Sequence, residues 1–94
     1  ILYRGTLNTT HIRPAEIFRG AVRRNAGAVL VGHNHPSGEP NPSPEDRSIT
    51  RTLIQSGKLV EVDVVDHVII GRNRWISLRQ TGGELWEAPL EVLQ

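Results

Sequence analysis

Apolar residues recur at Ile17, Phe18, Ala21 and Val22 with the i, i+1, i+4, i+5 repeat of one helical face, and Arg19, Arg23 and Arg24 fall mainly on the other side. Pro14 suits the first turn of that helix, where its missing N–H is no loss, and Asn25-Ala26-Gly27 reads as its end. The pattern then changes. Ala28-Val29-Leu30-Val31-Gly32-His33 is an unbroken run of small and branched apolar residues, which predicts a strand covered on both faces. A second helix opens at Ser43-Pro44-Glu45-Asp46, with Ser43 as N-cap, Pro44 at the first helical position and acidic residues where the helix dipole favours them. Ile49, Leu53 and Ile54 supply its apolar face, and Gly57 is expected to stop it. Val62 to Ile70 is β-branched and strand-like, and Arg72-Asn73 turns it into a further strand, Trp75 to Leu78. At the start of the chain, Ile1 to Tyr3 reads as the end of a strand, with Arg4 to Asn8 as the turn leaving it.

The order strand, helix, strand, helix, strand, strand predicts an α/β (α+β layered) domain with a mixed sheet flanked by helices. Chemistry is expected at the end of the Ala28–His33 strand, where ligand sites of such sheets lie. The 94 residues suffice for a single domain with its core in 3–78; the tail 79–94 carries Trp86, Leu90 and Leu93 in a Gly- and Glu-rich setting and has no assigned role. The chain has no methionine and opens on an apolar run, so a domain cut from something longer is expected.

Composition narrows the function classes. Eleven Lys and Arg against ten Asp and Glu leave a net charge of +1, with no basic stripe of the kind that marks a nucleic-acid binder. Strong DNA binding is therefore not expected, and no apolar run approaches the ~20 residues that span a bilayer. The absence of cysteine removes disulfides, thiolate zinc sites and thiol catalysis. A cytoplasmic location is consistent with this composition. Oligomeric state cannot be read from it.

His33 and His35 stand two apart at a strand end, and in extended chain such residues project to the same face. Both imidazoles can therefore reach one ion. Asp46, eleven residues beyond His35, lies in the first turn of the second helix, and the loop between holds Pro36, Pro40 and Pro42. A stiff loop of this kind can swing that turn back over the strand end. The outcome would be a His₂Asp site for one Zn²⁺ with an open fourth position, which is the mark of a hydrolytic rather than a structural zinc. His-x-His alone is weak, since surface histidine pairs are common. Asp66 and His67 interrupt another apolar strand; by strict alternation Asp66 shares a face with Val62, Val64, Val68 and Ile70, and a carboxylate there needs a partner. It either holds a ligand histidine by its free ring N–H or bonds backbone groups in a turn or bulge, the second being favoured. His11 reads as a surface residue near the first helix.

The full spacing, His33-x-His35, seven residues, Ser43, two residues, Asp46, matches the JAMM pattern at every fixed position. With His33-Asn34-His35-Pro36-Ser37-Gly38, the upstream Arg4-Gly5-Thr6-Leu7-Asn8 and the downstream Asp66-His67 with Ile69, Ile70 and Gly71, the chain resembles the RadC branch of the JAMM/MPN zinc metallopeptidases over Tyr3 to Leu78. That resemblance implies a JAMM/MPN (cytidine-deaminase-like) fold, zinc ligation by His33, His35 and Asp46, and hydrolysis of peptide or isopeptide bonds in a peptide or protein substrate. It gives Ser43 a second task beyond capping, a hydroxyl aimed at the developing oxyanion. It also implies a glutamate base on the strand just ahead of the Arg-Gly-Thr stretch. No Glu precedes Arg4 here, and Glu16, on the first helix, does not match, so metal binding with little peptidase activity is expected of these 94 residues. The alternatives are a non-catalytic MPN protein-binding module and a DNA-repair factor, the historical label of the RadC family. An HNH nuclease is rejected, because its letters name residues spread over a ββα motif rather than three in a row.

Overall fold

The computed structural model describes residues 2–7 (by their backbone), 13–35 and 37–89. Its elements are β1 (Leu2–Leu7), α1 (Pro14–Arg23), β2 (Ala28–Asn34), α2 (Pro44–Val60), β3 (Asp63–Ile70), β4 (Trp75–Ser77) and two single-turn helices, α3 (Leu78–Thr81) and α4 (Glu84–Glu87). The strands form one sheet in the order β1-β2-β3-β4. β1, β2 and β3 run parallel and β4 returns antiparallel, so the expected mixed sheet flanked by helices is what the chain adopts.

Arg4 to Leu7, expected to be a turn, continues β1 and pairs with Leu30 to His33. Asn8, His11 and the end of the tail with Leu90 and Leu93 lie outside the described residues. Ile17, Phe18 and Ala21 of α1 and Leu53 and Ile54 of α2 pack with Val29, Val31, Val62 and Val64 in one core on one face of the sheet. Val22, predicted on the same face as these, is 57% exposed. One residue beyond Ala21 is a rotation of about 100°, enough to carry it past the stripe. β2 is fully buried only on the core side, through Val29, Val31 and His33; Ala28, Leu30 and Gly32 on the other side are half-buried, not covered as the apolar run suggested.

α2 passes straight through Gly57 and ends at Val60, where Glu61 adopts a left-handed φ of 61°. Gly57 is required for a different reason: a Cβ there would run into the Val62 carbonyl as the chain doubles back, and would press on the Phe18 ring. The tail is part of the fold as far as it is described. Leu85 and Trp86 pack against the core, and the Trp86 indole N–H donates to the Val64 carbonyl at 2.7 Å.

The detail that most affects the site is a bulge in β3. Val29 pairs with Val64 but Leu30 pairs with Asp66, so Val65 has no partner and the alternation is reset. Past the bulge His67 and Ile69, rather than Asp66 and Val68, turn towards the core. Asp66 therefore does not share a face with Val64 as strict alternation predicted.

Candidate metal centre

His33 is the last core-facing residue of β2, aligned with Ile69 of β3, and it is 4% exposed. Among the described residues neither of its ring nitrogens has a hydrogen-bond partner. A buried polar atom without a partner costs free energy comparable to a lost hydrogen bond, and this side chain carries two. His35 lies just past the strand, its N–H donating to the Ile70 carbonyl at 3.1 Å. Its Nδ1–H donates to the Glu39 carbonyl at 2.8 Å, which fixes the ring and turns Nε2 inward. This is the backbone support that metal-ligating imidazoles usually have.

Asp46 completes the group from the first turn of α2. Its Oδ2 accepts the Ser43 N–H at 2.7 Å while the Ser43 hydroxyl accepts the Asp46 N–H at 3.1 Å, a reciprocal capping box with an aspartate in the glutamate position. The same carboxylate faces both histidines, with Oδ1 3.5 Å from His33 Nδ1 and Oδ2 3.0 Å from His35 Nε2. Each of the three residues offers one ligand atom, and these atoms lie within 4.8 Å of one another. Two atoms each 2.0–2.1 Å from a tetrahedral zinc stand roughly 3.3 Å apart, close to the two carboxylate–imidazole spacings, each of which runs from a different carboxylate oxygen. The three side chains could hold a metal ion.

Protonation favours the same use. Burial holds His33 below the ordinary histidine value, reinforced by His35 and opposed by the Asp46 charge. For Asp46, burial works against the charge, but the Ser43 N–H and hydroxyl and the two histidines outweigh it and hold the carboxyl below its usual value. A neutral imidazole beside an ionised carboxylate is the state that metal ligation requires.

Two residues of the site were not anticipated. His67, turned inward by the bulge, stacks beside His33 with ring centroids 5.9 Å apart and planes 21° from parallel. Its Nδ1 is 2.6 Å from the Thr50 hydroxyl, which also donates to the Asp46 carbonyl at 2.6 Å. Both side chains are fully buried. Desolvation, with the neighbouring His33, pushes the His67 ring down to about 4 despite the opposing Asp46 and Asp66 charges. Thr50 had a signal in the sequence, being one helical turn past Asp46. His67 stands out in the sequence only as half of the polar interruption with Asp66, and its inward turn has no signal, since no sequence pattern announces the bulge. Asp66 takes the second of its two expected roles: it accepts from the His67 and Arg79 N–H groups at 2.7 and 3.0 Å and from the Ser77 hydroxyl, and so ties β3 to the start of α3. Among the described residues it hydrogen-bonds neither His33 nor His35.

The fold and this cluster define a layered α+β domain with a candidate His-His-Asp metal centre where the parallel strand β2 of its mixed sheet ends. The family described as the RadC-like JAB domain matches residues 1–83, and the chain belongs to it. It is similar to a UPF0758 protein of Chloroflexus aurantiacus, with 54% identity over 81 residues, which is 86% of this chain and 35% of that protein. A UPF0758 protein of Roseiflexus castenholzii is 47% identical over the same shares, and one of Desulfitobacterium hafniense is 50% identical over 83% of this chain and 34% of its own length. The chain thus spans about a third of the curated relatives it matches. Among the described residues no helix is long and apolar enough to cross a membrane.

Proposed function

We propose that this domain is the zinc-binding core of a hydrolase acting on peptide or isopeptide bonds. The observation carrying the proposal is the convergence of His33, His35 and Asp46, from a strand end, a loop and a helix start, on one point with both His33 nitrogens unpartnered. His33 and His35 would contribute neutral nitrogens and Asp46 an ionised oxygen, leaving a fourth position open. Zinc in such a site polarises a carbonyl and makes water acidic enough to react near neutral pH. Ser43 keeps a further capacity: its oxygen accepts the Asp46 N–H, and its own proton is left to donate to the oxyanion that develops on a substrate carbonyl. The proton taken from water needs a base, and no glutamate precedes Arg4 in these 94 residues.

Metal content by native mass spectrometry tests the first half. One zinc per chain is expected, lost on His35→Ala; a His35→Ala protein that keeps one tightly held zinc overturns the assignment. The second half is tested by rates. A longer chain should gain ~10²–10⁴-fold in peptide hydrolysis if residues ahead of Ile1 supply a glutamate base, and a Glu→Gln change there should remove the gain while zinc stays bound. Full turnover in the Gln protein would refute the mechanism.

A further inference from the structure

We propose that Thr50 and His67 are positioning residues that lock the first turn of α2 to β3 and so hold the Asp46 carboxylate against His33 and His35; the proposal rests on the metal-centre reading above.

The argument begins with one proton. The Thr50 hydroxyl has two neighbours at 2.6 Å, the Asp46 carbonyl oxygen and His67 Nδ1. A carbonyl can only accept, so the hydroxyl proton must lie towards Asp46. Nδ1 of His67 must then carry a proton and donate it to the Thr50 oxygen. The chain His67 Nδ1–H to Thr50 O–H to Asp46 C=O therefore runs in one direction, from the sheet through the helix to the residue that carries the third ligand atom. All three residues are buried, so no water competes for these groups.

The placement depends on the β3 bulge. Without the extra Val65, Asp66 would face α2 and His67 would face away. With it, the His67 ring lies beside His33 on one side and reaches Thr50 on the other. Asp46 is thus fixed twice, its side chain by Ser43 at the helix start and its backbone by Thr50 one turn in. A hydroxyl that back-bonds to the carbonyl four residues earlier is a common local habit of threonine. Here the same oxygen also receives a buried imidazole from another element, which local habit does not supply.

The test uses zinc alone as the probe. Competition against a chromophoric chelator should show Thr50→Val and His67→Leu binding zinc ~10–100-fold more weakly, the usual cost of losing a group that supports a metal ligand. Thr50→Ser, which keeps the hydroxyl, should bind like the unchanged protein. The visible spectrum of the cobalt-substituted protein should change in Thr50→Val and not in Thr50→Ser; a purely packing role would lower the melting temperature of the metal-free protein and leave this spectrum alone. Unchanged zinc affinity in a folded Thr50→Val protein overturns the proposal and leaves the metal centre standing. Failure of the unmodified protein to take up zinc overturns both. A test that needs no variant is the nitrogen NMR spectrum of the His67 ring: protonated Nδ1 with bare Nε2 is expected, and a proton on Nε2 alone would break the chain at its first link.

Discussion

Val29 and Val31, in the first half of β2, are 1% and 2% exposed; His33, next along the same face, is 4% exposed. Burial hardly separates the three, yet their surroundings differ in kind. The valines sit among Phe18, Leu53 and Ile54, which hydrocarbon contact satisfies completely. His33 has a carboxylate, two other imidazoles and no hydrogen bond. The valine half therefore holds the fold together whether or not anything binds, whereas the histidine half carries unpartnered nitrogens that a cation would satisfy. A cleft of about 240 Å³ does open at the valine end, between Ala28, Ile54, Lys58, Val64 and Trp86, but among the described residues it holds no such cluster of ligand groups.

The sharpest way to break this contrast is to exchange its two halves. His33→Leu should abolish stoichiometric zinc binding, read by mass spectrometry, while Val31→Ala should leave it intact. If both variants held zinc equally, the two ends would not differ as described. Acid provides the next largest effect. Between its unfolded value of 6.5 and its folded value of about 4, His67 binds a proton only in the unfolded chain. The stability it contributes is thus complete above pH 6.5 and is lost as pH falls towards 4, by at most about 3 kcal/mol. His33 acts in the same direction, and Asp46 adds a loss at still lower pH as its depressed carboxyl protonates. Denaturant titrations of chelated protein from pH 7.5 to 4 should show a declining midpoint; a flat profile would contradict the buried, neutral His67.

Smaller effects sharpen the comparison further. Val31→Ala should cost roughly 2 kcal/mol through lost burial and the cavity left behind. His33→Leu should do the reverse in metal-free protein and raise stability by about 1 kcal/mol, because a hydrocarbon replaces two unpaired nitrogens. Urea midpoints of the two variants, moving in opposite directions, would establish that one end serves folding and the other binding. Ser43→Ala should cost about 1 kcal/mol as an N-cap, and it should weaken zinc binding only modestly because Oδ2 of Asp46 keeps the backbone N–H of residue 43.

The His-His-Asp cluster is legible because its members sit at or beside ends of elements that the sequence marks. His33 closes an apolar run, and Asp46 follows Ser43 and Pro44, a strong helix start. The features that no sequence pattern marks depend on contacts between elements. The reset of β3 at Val65 is set by how that strand fits β2, and a one-residue slip reverses every side chain beyond it. That is why strict alternation puts Asp66 on the wrong face and leaves His67 without a role at the site. Gly57 was read as a helix stop because glycine is a poor helix former, while its actual constraint is the return path of the Val62 carbonyl. The strand at Arg4 to Leu7 was misread for a related reason: its place is fixed by pairing with β2, and Gly5 and Asn8 suggest a turn when that partner is out of view.

The two tryptophans give this division an optical form. Trp86 packs at the valine end with its indole N–H bonded to Val64 and the Arg79 guanidinium 5.8 Å from its ring. Trp75, on β4, is 61% exposed and pairs with Ile70, whose carbonyl holds the backbone of His35. The first should emit at shorter wavelength and follow the core as it melts. The second should emit as a solvated indole and respond if the His35 loop takes up a metal ion. With Trp86 replaced by Phe the remaining fluorescence belongs to the histidine end, and with Trp75 replaced it belongs to the core, so one molecule carries a separate lamp for each of its two ends.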